Sequence, residues 1–203
     1  MREFNIVISG VGGQGILTLK LLIAKAAFFQ GFDVKTSEIH GLSQRGGGLV
    51  SHVRFGDKIY SPMVLQGEAN LIFGLEPLEA LRTAYYASKE MKTIFVVDTF
   101  KWYPVSVMTG EEKYPSLDYI KKSLEKFSSK VYFVDASKKS MEIAGTNVMT
   151  NIFLLGFASA NRLLPLKREF ILKALEETVP PKFFELNKKV FEEGENYPIP
   201  ISK

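Results

Sequence analysis

The chain predicts an α/β fold: a three-layer, mostly parallel sheet with helices on both faces, a β-hairpin insertion and a helical C-terminal part. Three observations carry this. Short apolar, β-branched runs, with Phe4 to Ser9 the first, alternate with segments of helical periodicity, which is the rhythm of βαβ units. Two glycine clusters, Gly10-Val11-Gly12-Gly13-Gln14-Gly15 and His40-Gly41-Leu42-Ser43-Gln44-Arg45-Gly46-Gly47-Gly48, follow the first two of these runs. They put bare backbone at strand carboxyl ends, where open α/β sheets bind ligands. Beyond Ala136 the pattern is helical throughout, and no linker or repeat divides it, so residues 1–203 are expected to form one domain.

Each element follows from its local pattern. Phe4 to Ser9 stops at Gly10 and suits a buried parallel strand. Gly15 to Gln30 is apolar almost all round, interrupted only by Thr18, Lys20 and Lys25, and Gly31 suits its C-cap; such a helix should be covered on more than one side. Asp33 to Ser37 gives a second strand. Leu49 to Arg54 alternates as a strand does, Gly56-Asp57 is a turn signal, and Lys58 to Ser61 is expected to return as the hairpin partner. Ala69 to Phe73 is a further buried strand, and Pro77 opens a helix running to about Ala87. Thr93 to Asp98 and Lys130 to Val134 complete a sheet of five or six strands. Helices are expected over Ser137 to Ile143, Thr146 to Asn161, Lys167 to Thr178 and Pro181 to Glu193. Phe100, Trp102 and Tyr103 fall in a loop, as a satellite core or an interface anchor. Lys121, Lys122, Glu125 and Lys126 suit a solvated helix face.

Composition excludes several chemistries. The chain has 203 residues, a net charge of +4 and no cysteine. Disulfides, thiolate nucleophiles and iron–sulfur clusters held by its own thiolates are therefore ruled out. The two histidines, His40 and His52, have no acidic neighbours at ligand spacing, so no resident metal is expected. No Lys/Arg stripe interleaved with aromatics suggests nucleic acid. No apolar run approaches the roughly 18 residues of a membrane span. Met1 to Asn5 offers no signal-peptide core, and a cytoplasmic location is expected.

Gly10, Gly12 and Gly15 fit G-x-G-x-x-G between a strand and a helix start, with Gly13 and Gln14 between them. In that pattern the first glycine permits a tight turn, the second a close backbone approach and the third helix-to-sheet packing, while the oriented amides favour an anion. A dinucleotide site also wants an acid about 20 positions on, and Glu38 answers. A tight turn without a ligand, a nicotinamide site, and an anion or partner site all remain open. In the second cluster, Arg45 beside Gly46 and Gly47 suits bidentate recognition of carboxylate or phosphate, with Gln44 and His40 nearby; the alternative is a solvated loop. Asn147, Thr150 and Asn151, spaced i, i+3, i+4, form a polar stripe that faces a ligand; the alternative is that Thr146 or Asn147 caps the helix and Asn151 satisfies a neighbouring backbone. Walker A, G-x-S-x-G and a Gly-Asp-Gly diphosphate motif are all missing, as is any telling pair of carboxylates, so no catalytic engine is legible.

Taken together, G-V-G-G-Q-G at 10–15, E-I-H-G-L-S-Q-R-G-G at 38–47 with S-H-V-R-F-G at 51–56, and G-T-N-V-M-T-N at 145–151 resemble the gamma-type module of 2-oxoacid:ferredoxin oxidoreductases. The ending Glu185 to Gly194 is similar too, so the resemblance spans nearly the whole chain. It implies a three-layer subunit of a heteromeric enzyme that oxidatively decarboxylates 2-oxoacids, with coenzyme A as co-substrate and ferredoxin as electron acceptor. Thiamine diphosphate, Mg²⁺ and iron–sulfur clusters are then expected in a large alpha subunit, and none in this chain. The Q-R-G-G form favours the arylpyruvate branch over pyruvate or 2-oxoglutarate relatives. The glycine loops, Glu38, His40 and the Asn147/Asn151 pair would form the ligand- or partner-binding surface. The rival is a stand-alone NAD(P)-binding oxidoreductase, and self-association of the isolated chain is a further partner expectation.

Overall fold

The computed structural model describes residues 3–40 and 47–200. Six strands, β1 (Phe4–Val11), β2 (Asp33–His40), β3 (Gly48–Gly56), β4 (Leu71–Gly74), β5 (Ile94–Asp98) and β6 (Lys130–Val134), form one sheet in the order β2-β3-β1-β4-β5-β6. β1, β4, β5 and β6 run parallel, and β3 is antiparallel to both of its neighbours. The sheet is thus mostly parallel with an inserted hairpin, as expected.

The hairpin differs from the one read in the sequence. β3 pairs with β2 over its length, from Asp33↔Gly56 to His40↔Leu49, and the second glycine cluster lies in their connection. Lys58 to Ser61 forms no strand; instead Ile59 N donates to Asp33 Oδ2 at 2.8 Å and its side chain is buried. Alternation identifies a strand without naming its partner. β2 extends three residues past the predicted Ser37 because β3 offers a complete ladder.

Helices cover both faces. On one, α1 (Ile16–Phe29), α6 (Thr150–Ala160), α7 (Arg168–Thr178) and α8 (Pro181–Glu195) pack over Ile6, Ile8, Phe55, Phe73, Val96 and Val134. On the other, α2 (Pro77–Arg82), a 3₁₀ turn (Ala84–Tyr86) and α4 (Leu117–Leu124) cover Val7, Ile72, Phe95 and Val97. The short α3 (Val105–Met108) and α5 (Ala136–Ala144) lie on the chain after β5 and β6. Each fully buried Phe or Ile contributes about 2–3 kcal/mol through its removal from water.

Several element ends shift for local reasons. α2 stops before Ala87 because the Thr83 hydroxyl donates into the turn, near Glu79 O and Ala80 O, both at 3.1 Å. α6 begins at Thr150 instead of Thr146, after Gly145 has capped α5 in a left-handed conformation. As expected, α1 is covered on more than one side, by β1, β2 and β3 and by α6 and α7. Leu17, Leu21 and Phe28 share its outer face and remain exposed. α6 and α8 touch backbone to backbone: a Cβ on Gly156 would overlap the Phe191 carbonyl, and one on Gly194 the Phe153 carbonyl. Among the described residues, no helix is long and apolar enough to cross a membrane.

Candidate functional site at the sheet's carboxyl edge

The first glycine loop joins β1 to α1, and its geometry is set by Gln14. The Gln14 amide oxygen accepts from Val11 N at 2.7 Å, and its nitrogen donates to Leu75 O at 3.0 Å, at the end of β4. β1 and β4 are where the sheet's connections diverge, the usual ligand crevice of such sheets. Here Gln14 fills it. A Cβ on Gly10 would lie 2.7 Å from the Gln14 oxygen and 3.0 Å from Leu75 Cβ, so Gly10 serves this closure.

Gly15 caps α1 at φ 77°, and a Cβ there would meet Asn151 Nδ2 at 2.6 Å. The glycine therefore admits α6, not the sheet as the fingerprint suggests. Asn151 is buried, donates to Gly15 O at 2.9 Å and accepts from Ile152 N at 2.9 Å, which occupies both ends of its amide. Its role is to join two helix starts. Asn147 precedes α6, so the predicted helical stripe with Thr150 and Asn151 does not form.

The two glycine clusters do meet. Gly12 N donates to Gly47 O at 3.2 Å, and Gly48 backs onto the buried Glu79, where a Cβ would stand 2.5 Å from a carboxylate oxygen. Gln44, Arg45 and Gly46 lie outside the described residues, and His40 is placed as the last residue of β2, opposite Leu49. Glu38 sits elsewhere. It lies on β2, which β3 separates from β1 by two strand spacings, roughly 10 Å. It forms an ion pair with Lys20 of α1. A nicotinamide fold needs that acid on the strand beside β1.

Sequence reading missed three buried carboxylates at this edge: Glu76, Glu79 and Asp98. Glu76 was detectable, since an acid before a proline at a strand end is an N-cap signal. Its Oε2 accepts from Glu79 N at 2.8 Å to cap α2. Its Oε1 accepts from Trp102 N at 3.3 Å and from the Tyr114 hydroxyl. Burial pushes the Glu76 carboxyl up, and burial together with the Glu76 bond pushes the Tyr114 phenol up, so the phenol keeps its proton and donates.

Asp98, at the end of β5, is fully buried and pushed up to about 6 by desolvation, against bonds from Ser137 that favour its charge. Ser137 N donates to it at 3.0 Å, and the Ser137 hydroxyl also bonds it. Ser137 Oγ lies 2.9 Å from Thr150 Oγ1, which donates to Asn147 O at 2.6 Å. With Asp98 ionised, both hydroxyl protons are spent and the Ser137–Thr150 contact has none. A proton on Asp98 completes one directed chain from the carboxyl through Ser137 and Thr150 to the Asn147 carbonyl.

Two hollows open above these groups. A groove of about 640 Å³ is lined by Phe100, Lys101, Tyr103, Lys138, Met141 and Asn147, among others. A smaller one of about 170 Å³ lies between Gly13, Gln14, Trp102, Asn147 and Thr150. Phe100, Trp102 and Tyr103 form a half-exposed aromatic lip beside them. Among the described residues, no group of three His, Asp or Glu side chains is placed to hold a metal ion.

The three-layer sheet and the joined glycine loops define a class, and comparison identifies it. The family described as pyruvate ferredoxin/flavodoxin oxidoreductase matches residues 5–197, and the chain belongs to it. It is a subunit of an oxidoreductase of the 2-oxoacid:ferredoxin type. It is 43% identical over 195 residues to the indolepyruvate oxidoreductase subunit IorB of Thermococcus kodakarensis, covering 96% of this chain and 95% of the relative. The IorB subunit of Pyrococcus horikoshii is 41% identical over the same shares. In T. kodakarensis, the common gamma subunit of pyruvate/ketoisovalerate oxidoreductases reaches 27% over 92% of each chain. The keto/oxoacid ferredoxin oxidoreductase gamma subunit of Geobacter sulfurreducens superposes with a TM-score of 0.67 at 24% identity, covering 95% and 96% of the two chains, and shares the fold.

Proposed function

We propose that this chain is the small subunit of an indolepyruvate-type enzyme that oxidatively decarboxylates aryl 2-oxoacids in the cytoplasm. The observation that carries the reading is the margin in identity, 43% to an IorB subunit against 27% to a pyruvate/ketoisovalerate gamma subunit of the same organism. The reaction joins the acyl group to coenzyme A, releases carbon dioxide and passes two electrons to ferredoxin. Thiamine diphosphate, Mg²⁺ and the iron–sulfur clusters belong to the large subunit; the lack of any cysteine here is consistent with clusters held by that subunit's thiolates.

In this reading the carboxyl edge of the sheet faces the large subunit near its cofactor. Gln14, Asn151 and the Gly12 amide are consumed in building the edge, so the groups proposed for an anion of coenzyme A, substrate or partner are the Gly13 backbone and the Asn147 side chain, with Arg45 added from its sequence motif. Against the nicotinamide alternative stands the placement of Glu38, a strand too far from β1 and paired with Lys20.

The test is reconstitution with the large subunit and an assay of coenzyme-A-dependent ferredoxin reduction. Indolepyruvate or phenylpyruvate should be turned over faster than pyruvate or 2-oxoglutarate; a preference for pyruvate would overturn the aryl assignment. Arg45→Ala should weaken assembly or raise the KM for one of the two substrates. Unchanged assembly with unchanged kinetics would remove Arg45 from the site.

A further inference from the structure

We propose that Glu76 is a positioning residue: one buried carboxylate fixes the aromatic lip Phe100 to Tyr103 against the sheet edge and so sets the shape of the docking face. The lip itself has no regular secondary structure between β5 and α3, and Phe100, Trp102 and Tyr103 are each about two-fifths to one-half exposed. An exposed aromatic segment without a backbone ladder needs an anchor from elsewhere to keep one conformation. Glu76 supplies it in both directions along the chain. Its Oε1 receives the Trp102 amide within the lip and the Tyr114 hydroxyl beyond it. Tyr114 then holds the lip by its ring, which meets Tyr103 edge-on at 5.3 Å and lies 5.5 Å from the Lys101 ammonium. The other oxygen caps α2, so the anchor is tied to the end of β4, where Gln14 also binds.

The lip supplies a wall to both hollows, Phe100, Lys101 and Tyr103 to the larger and Trp102 to the smaller. Releasing it would alter both at once. The consequence for assembly rests on the reading that this edge faces the large subunit; the anchoring does not.

Trp102 is the chain's single tryptophan, so its emission reports the lip alone. The experiment compares wild type, Glu76→Ala and Tyr114→Phe as full chains, reading Trp102 emission and its quenching by iodide, with far-UV circular dichroism to verify folding. Glu76→Ala should shift the emission to the red and raise the iodide quenching constant about two-fold, as expected when a held side chain becomes mobile. Tyr114→Phe, which leaves the α2 cap intact, should move both in the same direction by less, and it decides the matter if Glu76→Ala does not fold. Unchanged emission and quenching in a folded variant would overturn the anchoring. Binding of the same variants to the large subunit forms the second arm, and about tenfold weaker binding is expected where the lip is freed. A freed lip with undiminished binding would overturn the docking half and the orientation it rests on, while leaving the anchor in place.

Discussion

Gln14 shows how a motif that suits a ligand turns out to hold a turn. Its amide makes two bonds inside the protein, so Gln14→Ala should lower stability by about 1–3 kcal/mol, the usual cost of leaving buried partners unpaired. Urea denaturation of the two chains measures this, and an unchanged midpoint would contradict the role given to it. Asp98 and His52 make a second prediction, in pH. Burial raises Asp98 from 3.8 to about 6, so its contribution to stability is full below about pH 4 and lost as pH rises through 6, a change of about 3 kcal/mol. Burial lowers His52 from 6.5 to about 4, so its contribution is present above pH 6.5 and lost as pH falls through 4. The raised Glu76 carboxyl has the sign of Asp98. The slopes oppose one another between pH 4 and 6. Relative to wild type, Asp98→Asn should tilt the pH dependence of stability over that range towards rising and His52→Gln should tilt it towards falling; urea midpoints at several pH values read both. The glycines and Gln14 were legible as a motif, but their task was not, because nothing in a pattern tells an amide facing a ligand from one facing Leu75 O.

Elements were easier to read than their partners. All six strands and the C-terminal helices could be placed from apolar runs and glycine or proline punctuation, whereas the partner of β3 was assigned to Lys58–Ser61 in place of β2. Periodicity is a property of one strand and pairing of two, so the error has a physical cause. The start of α6 was misplaced by four residues because Thr146 and Asn147 both suit a cap, whereas the helix starts after Met149 with no side-chain cap, and only Gly145 in the left-handed region shows where the preceding helix ends. Gly156 and Gly194 were passed over within their helices, yet they set the α6–α8 contact. Gly194→Ala should cost at least about 1–3 kcal/mol by overpacking, more than the small gain in helix propensity returns. Thermal unfolding checks this, and a raised Tm would refute the close contact. α1 leaves Leu17, Leu21 and Phe28 on its outer face, a stripe that periodicity alone could not distinguish from a covered one.

The assembled architecture gathers three features at the carboxyl edge of the sheet. β1, β4 and β5 end together, Gln14 closes the crevice that a nucleotide would use, and Glu76 holds an aromatic lip outward. The fold class was legible because βαβ rhythm is local, and the face was not, because Glu76, Tyr114 and Trp102 come from three separate segments that only folding brings together. Amide hydrogen exchange on the isolated chain and on its complex with the large subunit tests whether this edge is the one that docks. Protection on assembly is expected at Gly12 to Ile16, Gly47 to Val50 and Phe100 to Met108, with α4 and the outer face of α1 unchanged. Protection confined to α1 or α4, with those three segments exchanging as in the free chain, would contradict it.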